Sequence, residues 1–190
     1  MKFLIDGHAN RVQLRSEQWA EGVAGQLITP LTGDRRGHDT FAIDNGAYTS
    51  FNEKRFHSIL RREFTVKEQC LFVALPDKVG CHATTLILYE DYYSLLNGWK
   101  RAFVCQDGFD CYPNEYDAIF IGGTNKFKDS KEALEIVTAS LRAGKHTHVG
   151  RVNTYDRFIR FHEIGAHTCD GSGVSRYDHM LPRIKELMNG

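Results

Sequence analysis

Carboxylates recur in this chain directly after short apolar runs: Asp44 in "TFAIDNGAY", Asp77 in "CLFVALPDKVG" and Asp170 in "AHTCDGSGV". Gln106 takes the same place in "FVCQDG", the pair Gly122 and Gly123 in "AIFIGGTNKF", and His148 lies near the end of "THVGRV". A single Asp after an apolar run is commonly a helix cap or turn former. Recurrence after successive runs points further, because runs that form one sheet would bring all these groups to one edge. Together they suit a guanine-like base. A carboxylate accepts two parallel hydrogen bonds from an N1–H and 2-amino edge. A glutamine amide and glycine N–H groups donate to the neighbouring carbonyl, and glycine lets backbone come close. A second carboxylate left free of recognition can attack an anomeric carbon, as in retaining glycosyl transfer.

Residues this far apart need a scaffold that gathers strand ends. Strands are expected at 2–6, 26–31, 40–45, 70–77, 101–106, 118–123, 147–152 and 166–171, each short and rich in β-branched or aromatic residues. Helical patterns fall between most of them, at 16–25 with Ser16 as N-cap, 52–64, 82–99, 129–144, 153–165 and 175–190, with Pro182 early in the last. The connection "DGFDCYPNEYD" reads as turns. Alternating strands and helices mean a parallel sheet, and eight strands imply one minimal (β/α)8 TIM barrel over residues 1–190, with short loops. An open doubly wound sheet is the alternative, but no G-x-G-x-x-G follows the first strand. In a barrel the chemistry sits at the C-terminal strand ends, where the residues above fall.

Composition narrows the partners. The chain has 190 residues, 42% hydrophobic and 25% charged, with a formal net charge of zero. That excludes a uniformly basic nucleic-acid binder and leaves local patches. Arg35 and Arg36 in "DRRGHD", Lys126 and Lys128 in "TNKFK", and Arg176 after Asp170 are expected near the mouth as phosphate contacts. Arg61 and Arg62 read as a solvated helix face. The nine histidines and five cysteines form no H-E-x-x-H or C-x-x-C pattern, so no metal or cofactor is required. Scattered free thiols fit a reducing, cytoplasmic compartment, and Cys169 reads as a small buried residue. No apolar run has the length of a membrane span, and "MKFLIDGHANRV" has no signal-peptide core.

The ordered motifs over roughly residues 40 to 176 resemble the tRNA-guanine transglycosylase superfamily, most closely its bacterial and phage branch that places a 7-deazaguanine in DNA. "DNGAY" is similar to the family's Asp-Ser-Gly-Gly-Phe-type motif, with Asn45, Ala47 and Tyr48 as departures; "PDKVG" supplies a base-reading Asp; "QDG" keeps the Gln of Gln-Gly-Gly; "GG" is shared; and "TCDGSG" corresponds to the segment of the nucleophilic Asp. The C-x-C-x-x-C…His zinc module of the tRNA enzymes, which helps to grip tRNA, has no counterpart, which favours a different polynucleotide or none.

The resemblance implies Asp170 as nucleophile at C1′ and Asp44 as the proton-transfer group. It implies Asp77, Gln106, Gly122 and Gly123 as base readers, with Tyr48 stacking on the base. His148 is a further candidate for the pocket. The implied partners are DNA, guanine and a 7-deazaguanine such as the 7-cyano form, in the host cytoplasm if phage-encoded. The same residues would also serve a nucleosidase or base-salvage hydrolase, or a barrel that only binds a nucleobase.

Overall fold

Period-two alternation along eight short strands decides what fills the interior of this protein. A computed structural model describes residues 1–31, 36–177 and 179–189. Strands β1 (Lys2–Asp6), β2 (Val23–Ile28), β3 (Phe41–Ile43), β4 (Cys70–Ala74), β5 (Arg101–Cys105), β6 (Ala118–Ile121), β7 (His146–Val149) and β8 (Thr168–Cys169) pair in chain order. All neighbours are parallel, and β8 closes on β1 through Lys2 opposite Thr168 and Phe3 opposite Cys169. The expected (β/α)8 barrel is therefore the fold.

Helices α1 (Ala9–Gln18), α2 (Glu53–Glu63), α3 (His82–Tyr92), α4 (Asn125–Lys128), α5 (Lys131–Arg142), α6 (Tyr155–Glu163), α7 (Ser172–Ser175) and α8 (Leu181–Asn189) follow the strands. Side-chain oxygens cap four of them: Asn52 accepts from Arg55 N–H, Thr124 from Phe127, Ser130 from Ala133 and Thr154 from Arg157. Residues 107–117 form no helix.

Outward residues such as Phe3, Ile5, Phe103, Ile119 and Val149 bury against Val12, Phe56, Val137 and Phe158 of the helices. Inward residues form a separate cluster of Leu4, Leu27, Phe72, Val104 and Phe120 with Ala42, Ala74, Ala102 and Ala118. The four alanines leave room for Phe72 and Phe120 to meet edge-on at 6.2 Å and 86°. His148 packs on both rings, at 5.1 and 4.5 Å. Cys169 is fully buried on the outward side, as expected of a small apolar-like residue.

The first helix differs from the sequence expectation. It begins at Ala9, and Ser16 lies inside it with its hydroxyl donating to Val12 O. Residues 23–25, read as the end of that helix, begin β2. Val12 and Arg15 bury one face of α1, and Trp19 lies directly over Gly22, where an added Cβ would be 2.0 Å from the indole. β1 ends at Asp6 as read, and the other strands end one to three residues earlier, because their last residues leave the ladder while still reaching the mouth. The last helix starts at Leu181, with Pro182 in its first turn, where a missing N–H costs nothing. Among the described residues no helix is long and apolar enough to cross a membrane.

Candidate active site

The groups singled out in the sequence stand at the C-terminal rim of the barrel, just past β3, β4, β5, β6 and β8. They enclose a narrow pocket of about 60 Å³ whose walls include Asp77, Gln106, Gly122, Gly123 and Lys128, with Val104 and Phe120 as its apolar floor. Beside it runs a wider groove of about 640 Å³ that takes in Asp6, His8, Arg11, Asn153 and Arg176. Asp44, Tyr48, Arg151 and Asp170 border both spaces. The narrow space suits a flat ring and the wide one a chain or sugar, with carboxylates at the junction.

Asp77 is clamped. Asn45 Nδ2 donates to its Oδ1 at 2.8 Å, and Gln106 Nε2 to its Oδ2 at 2.6 Å. Asn45 is fixed in turn by donating to Leu75 O and accepting from Ala47 N–H, and Gln106 Oε1 accepts from Gly80 N–H. Each carboxylate oxygen keeps a second lone-pair direction, so Asp77 retains a two-oxygen edge. Burial raises its pKa to about 6 against the Asn45 hydrogen bond and the charge of Lys128. Gln106, expected as a base contact, thus spends its amide on holding the Asp77 carboxylate and Gly80 N–H in place. Asn45, a departure from the family motif, holds the same carboxylate from the other side.

The two oxygens of Asp170 differ. Oδ1 accepts from Arg151 N–H at 3.1 Å and lies 3.1 Å from His148 Nε2. Oδ2 accepts no hydrogen bond among the described residues. The peptide is pinned by Asp170 N–H to Val149 O and by Val152 N–H to Asp170 O. A carboxylate held by one oxygen with the other bare is arranged for nucleophilic attack. His148 is fully buried beneath Asp170 and off the pocket wall, so it contacts the carboxylate where a ligand contact was expected.

Asp44 is part-buried, and burial followed by the charges of Asp77 and Asp170 raises its pKa to about 7. It can hold a proton beside two carboxylates at neutral pH, as proton transfer requires.

The glycine pair is required sterically. A Cβ on Gly122 would lie 2.7 Å from both Gln106 Nε2 and the Val104 side chain. Gly123 has φ 74°, and a Cβ there would lie 2.6 Å from Asp107 Oδ2. Gly122 N–H is spent on Cys105 O, whereas Gly123 N–H has no hydrogen bond among the described residues and is free to donate. Asp107, where the family has glycine, clasps the next loop by accepting from Thr124 N–H and Oγ1–H.

The expected phosphate contacts divide. Arg35 lies outside the described residues. Arg36 sits at the other end of the barrel, where it pairs with Glu63 at 2.9 Å, donates to Asp39 O and Gln69, and lies over Phe41 at the start of β3. A loop entering a strand delivers its last residues to the N-terminal face, which removes Arg36 from the mouth. Lys128 is 2% exposed and donates to Gly123 O, a pocket group whose pKa burial lowers to about 8, so it is no surface contact. Lys126 is exposed, and Arg176 borders the groove half exposed while paired to Asp6 at 2.9 Å.

Two functional candidates were missed. Arg151, in "THVGRVN", carries φ 57°, the one positive value outside glycine among the described residues, and lays its guanidinium on Tyr48. Such strain concentrates at working sites, yet nothing in the residue type announces it. Asp6, the last residue of β1, is a fourth Asp at a strand end and is legible as such in "KFLID". Among the described residues no three His, Cys, Asp or Glu side chains group to hold a metal ion. Compared with models of known protein families and with curated proteins, the sequence matches none.

Proposed function

We propose that this protein is a transglycosylase that exchanges guanine in a polynucleotide, DNA in preference to tRNA, for a 7-deazaguanine base. The observation that carries this reading is the junction: Asp170, bare at Oδ2, stands between a pocket with a clamped two-oxygen acceptor edge and a wide groove. The target nucleotide is taken out of the stack, and its guanine enters the narrow pocket. Asp77 accepts from N1–H and the 2-amino group, while Gly123 N–H and Lys128 face the carbonyl side. Asp170 Oδ2 forms a bond to C1′ as the C1′–N9 bond breaks, and Asp44 gives its proton to the departing base. The incoming base, for example 7-cyano-7-deazaguanine, returns a proton to Asp44 as its N9 attacks C1′. The ester electrons go back to Asp170, and the configuration at C1′ is retained.

A hydrolytic reading, with water in place of the incoming base on a small nucleoside, draws support from the zero net charge of the chain and from the pairing of Arg176 with Asp6 in the groove. Nucleoside mass spectrometry separates the two. DNA incubated with the protein and 7-cyano-7-deazaguanine should release guanine and gain the deazaguanine nucleoside in equal amounts. Guanine release without incorporation, or release from nucleosides alone, supports the hydrolase.

A further inference from the structure

Below Asp170 the β7–β8 side of the barrel interior is polar, where branched apolar side chains ordinarily fill a barrel. His146 and His148 of β7 point inward, as does Thr168 of β8, which pairs in register with His148. Thr168 Oγ1 lies 2.9 Å from His146 Nε2 and 3.0 Å from His148 Nδ1. The other ring nitrogen of His148 reaches Asp170 Oδ1. His148 and Thr168 are buried, while His146 is part-buried at the barrel floor and stacks on the exposed His167 at 5.0 Å. Four groups thus form one line from the floor to the mouth.

Counting protons gives this line a direction. An ionised carboxylate only accepts, so His148 Nε2 must carry the proton that faces Asp170. With one ring proton, His148 then accepts at Nδ1. The threonine has a single hydroxyl proton and lies between two ring nitrogens, so it donates to His148 and accepts from His146. His146 must therefore be protonated at Nε2. Burial lowers the His146 pKa to about 3, so that ring also carries one proton at neutral pH. Phe72 packs against both imidazoles and offers no competing acceptor.

We infer that His148, Thr168 and His146 are positioning residues for Asp170, a one-directional line that fixes His148 as its Nε2–H tautomer and leaves Oδ2 as the reactive oxygen. The reactive role of Asp170 rests on the base-exchange reading above; the proton arrangement does not. The arrangement serves both halves of that reaction. When Oδ2 becomes an ester oxygen, Oδ1 becomes a carbonyl oxygen and still accepts from His148, so no donor needs to turn round.

Nitrogen NMR of the imidazoles in the full-length protein at neutral pH tests the line directly. His146 and His148 should both be Nε2–H tautomers. A Nδ1–H tautomer, or two ring protons, at His148 would overturn the inference. Thr168→Val removes the link at nearly constant shape and should leave His146 in mixed tautomers while Asp170 keeps His148 as Nε2–H, with Thr168→Ser restoring the single His146 tautomer; an unchanged His146 tautomer in the Val variant would also overturn it. In the functional arm, Thr168→Val should slow formation of the protein–DNA adduct by about tenfold or more with unchanged affinity for guanine, and Ser should recover the rate. Adduct formation at the wild-type rate in the Val variant would remove the positioning role. If the wild type gives no adduct while the tautomers are as expected, the base-exchange reading fails and the proton arrangement stands.

Discussion

Arg151 lays its guanidinium on the ring of Tyr48, 3.6 Å from the centroid, while its own backbone N–H holds Asp170 Oδ1. One residue thus ties Asp170 to the exposed Tyr48 across the junction of pocket and groove. Its left-handed backbone costs on the order of 1–2 kcal/mol, against about 0.5–1 kcal/mol for an exposed cation–π contact. Arg151→Gly should therefore be no less stable than the wild type and should keep the N–H to Asp170. Affinity for DNA should fall, because the guanidinium is gone from the groove. A denaturation curve beside a DNA titration checks both; a loss of several kcal/mol in stability would mean the left-handed turn is held by the side chain.

On the proposed reading, Asp77 recognises guanine by remaining an acceptor on both oxygens. Asp77→Asn replaces one acceptor by a donor facing the N–H edge and should weaken guanine binding by roughly 2–3 kcal/mol. Gln106→Leu should act in the same direction through Asp77, and it also leaves Gly80 N–H without its acceptor. Isothermal titration with guanine and adenine measures this. Equal guanine affinity in Asp77→Asn would remove Asp77 from the base edge.

Acidity sets a pH dependence of known sign. Asp44 binds its proton up to about pH 7 in the folded chain and only to about 3.8 when unfolded, so its contribution to stability is fully present below pH 3.8 and is lost as pH rises to 7. Asp44→Asn, which mimics the protonated form, should match the wild type near pH 4 and exceed it by roughly 4 kcal/mol at pH 8. Urea midpoints across this range check it, and parallel profiles would contradict it. Turnover should fall above about 7, where Asp44 loses its proton, and below about 6, where Asp77 gains one.

Salt dependence locates the nucleic-acid path. Neutralising Arg11 and Arg176, both on the groove, should flatten the plot of log affinity against log salt by about 0.7–0.9 per lost phosphate contact. Arg36→Ala should leave it unchanged, since that side chain is bound to Glu63 at the far end. A slope that responds to Arg36 alone would move the path to the N-terminal face.

The barrel and its rim were legible because strand ends announce themselves: apolar runs stop at Asp44, Gln106, Gly122 and Asp170, and each stands where its run leaves the ladder. The first helix was misread because Ser16 and Gly25 imitate a cap and a stop, while the burial of Val12 against β1 and β2 decides the matter. Arg36 was misplaced because adjacency in sequence to a strand does not say which end of the barrel a loop serves. The line beneath Asp170 depends on β7 and β8 being in register, a relation between segments twenty residues apart that no local pattern encodes. Arg151 depends on a backbone angle.

The central claim is that Asp170 Oδ2 bonds covalently to C1′. Guanine-containing DNA incubated with the protein and no incoming base should give an adduct that survives denaturing electrophoresis and maps to Asp170. Addition of 7-cyano-7-deazaguanine should discharge it. Asp170→Asn should bind base and DNA yet give no adduct. An adduct in the Asn variant, or one that maps to Asp44, would contradict the account.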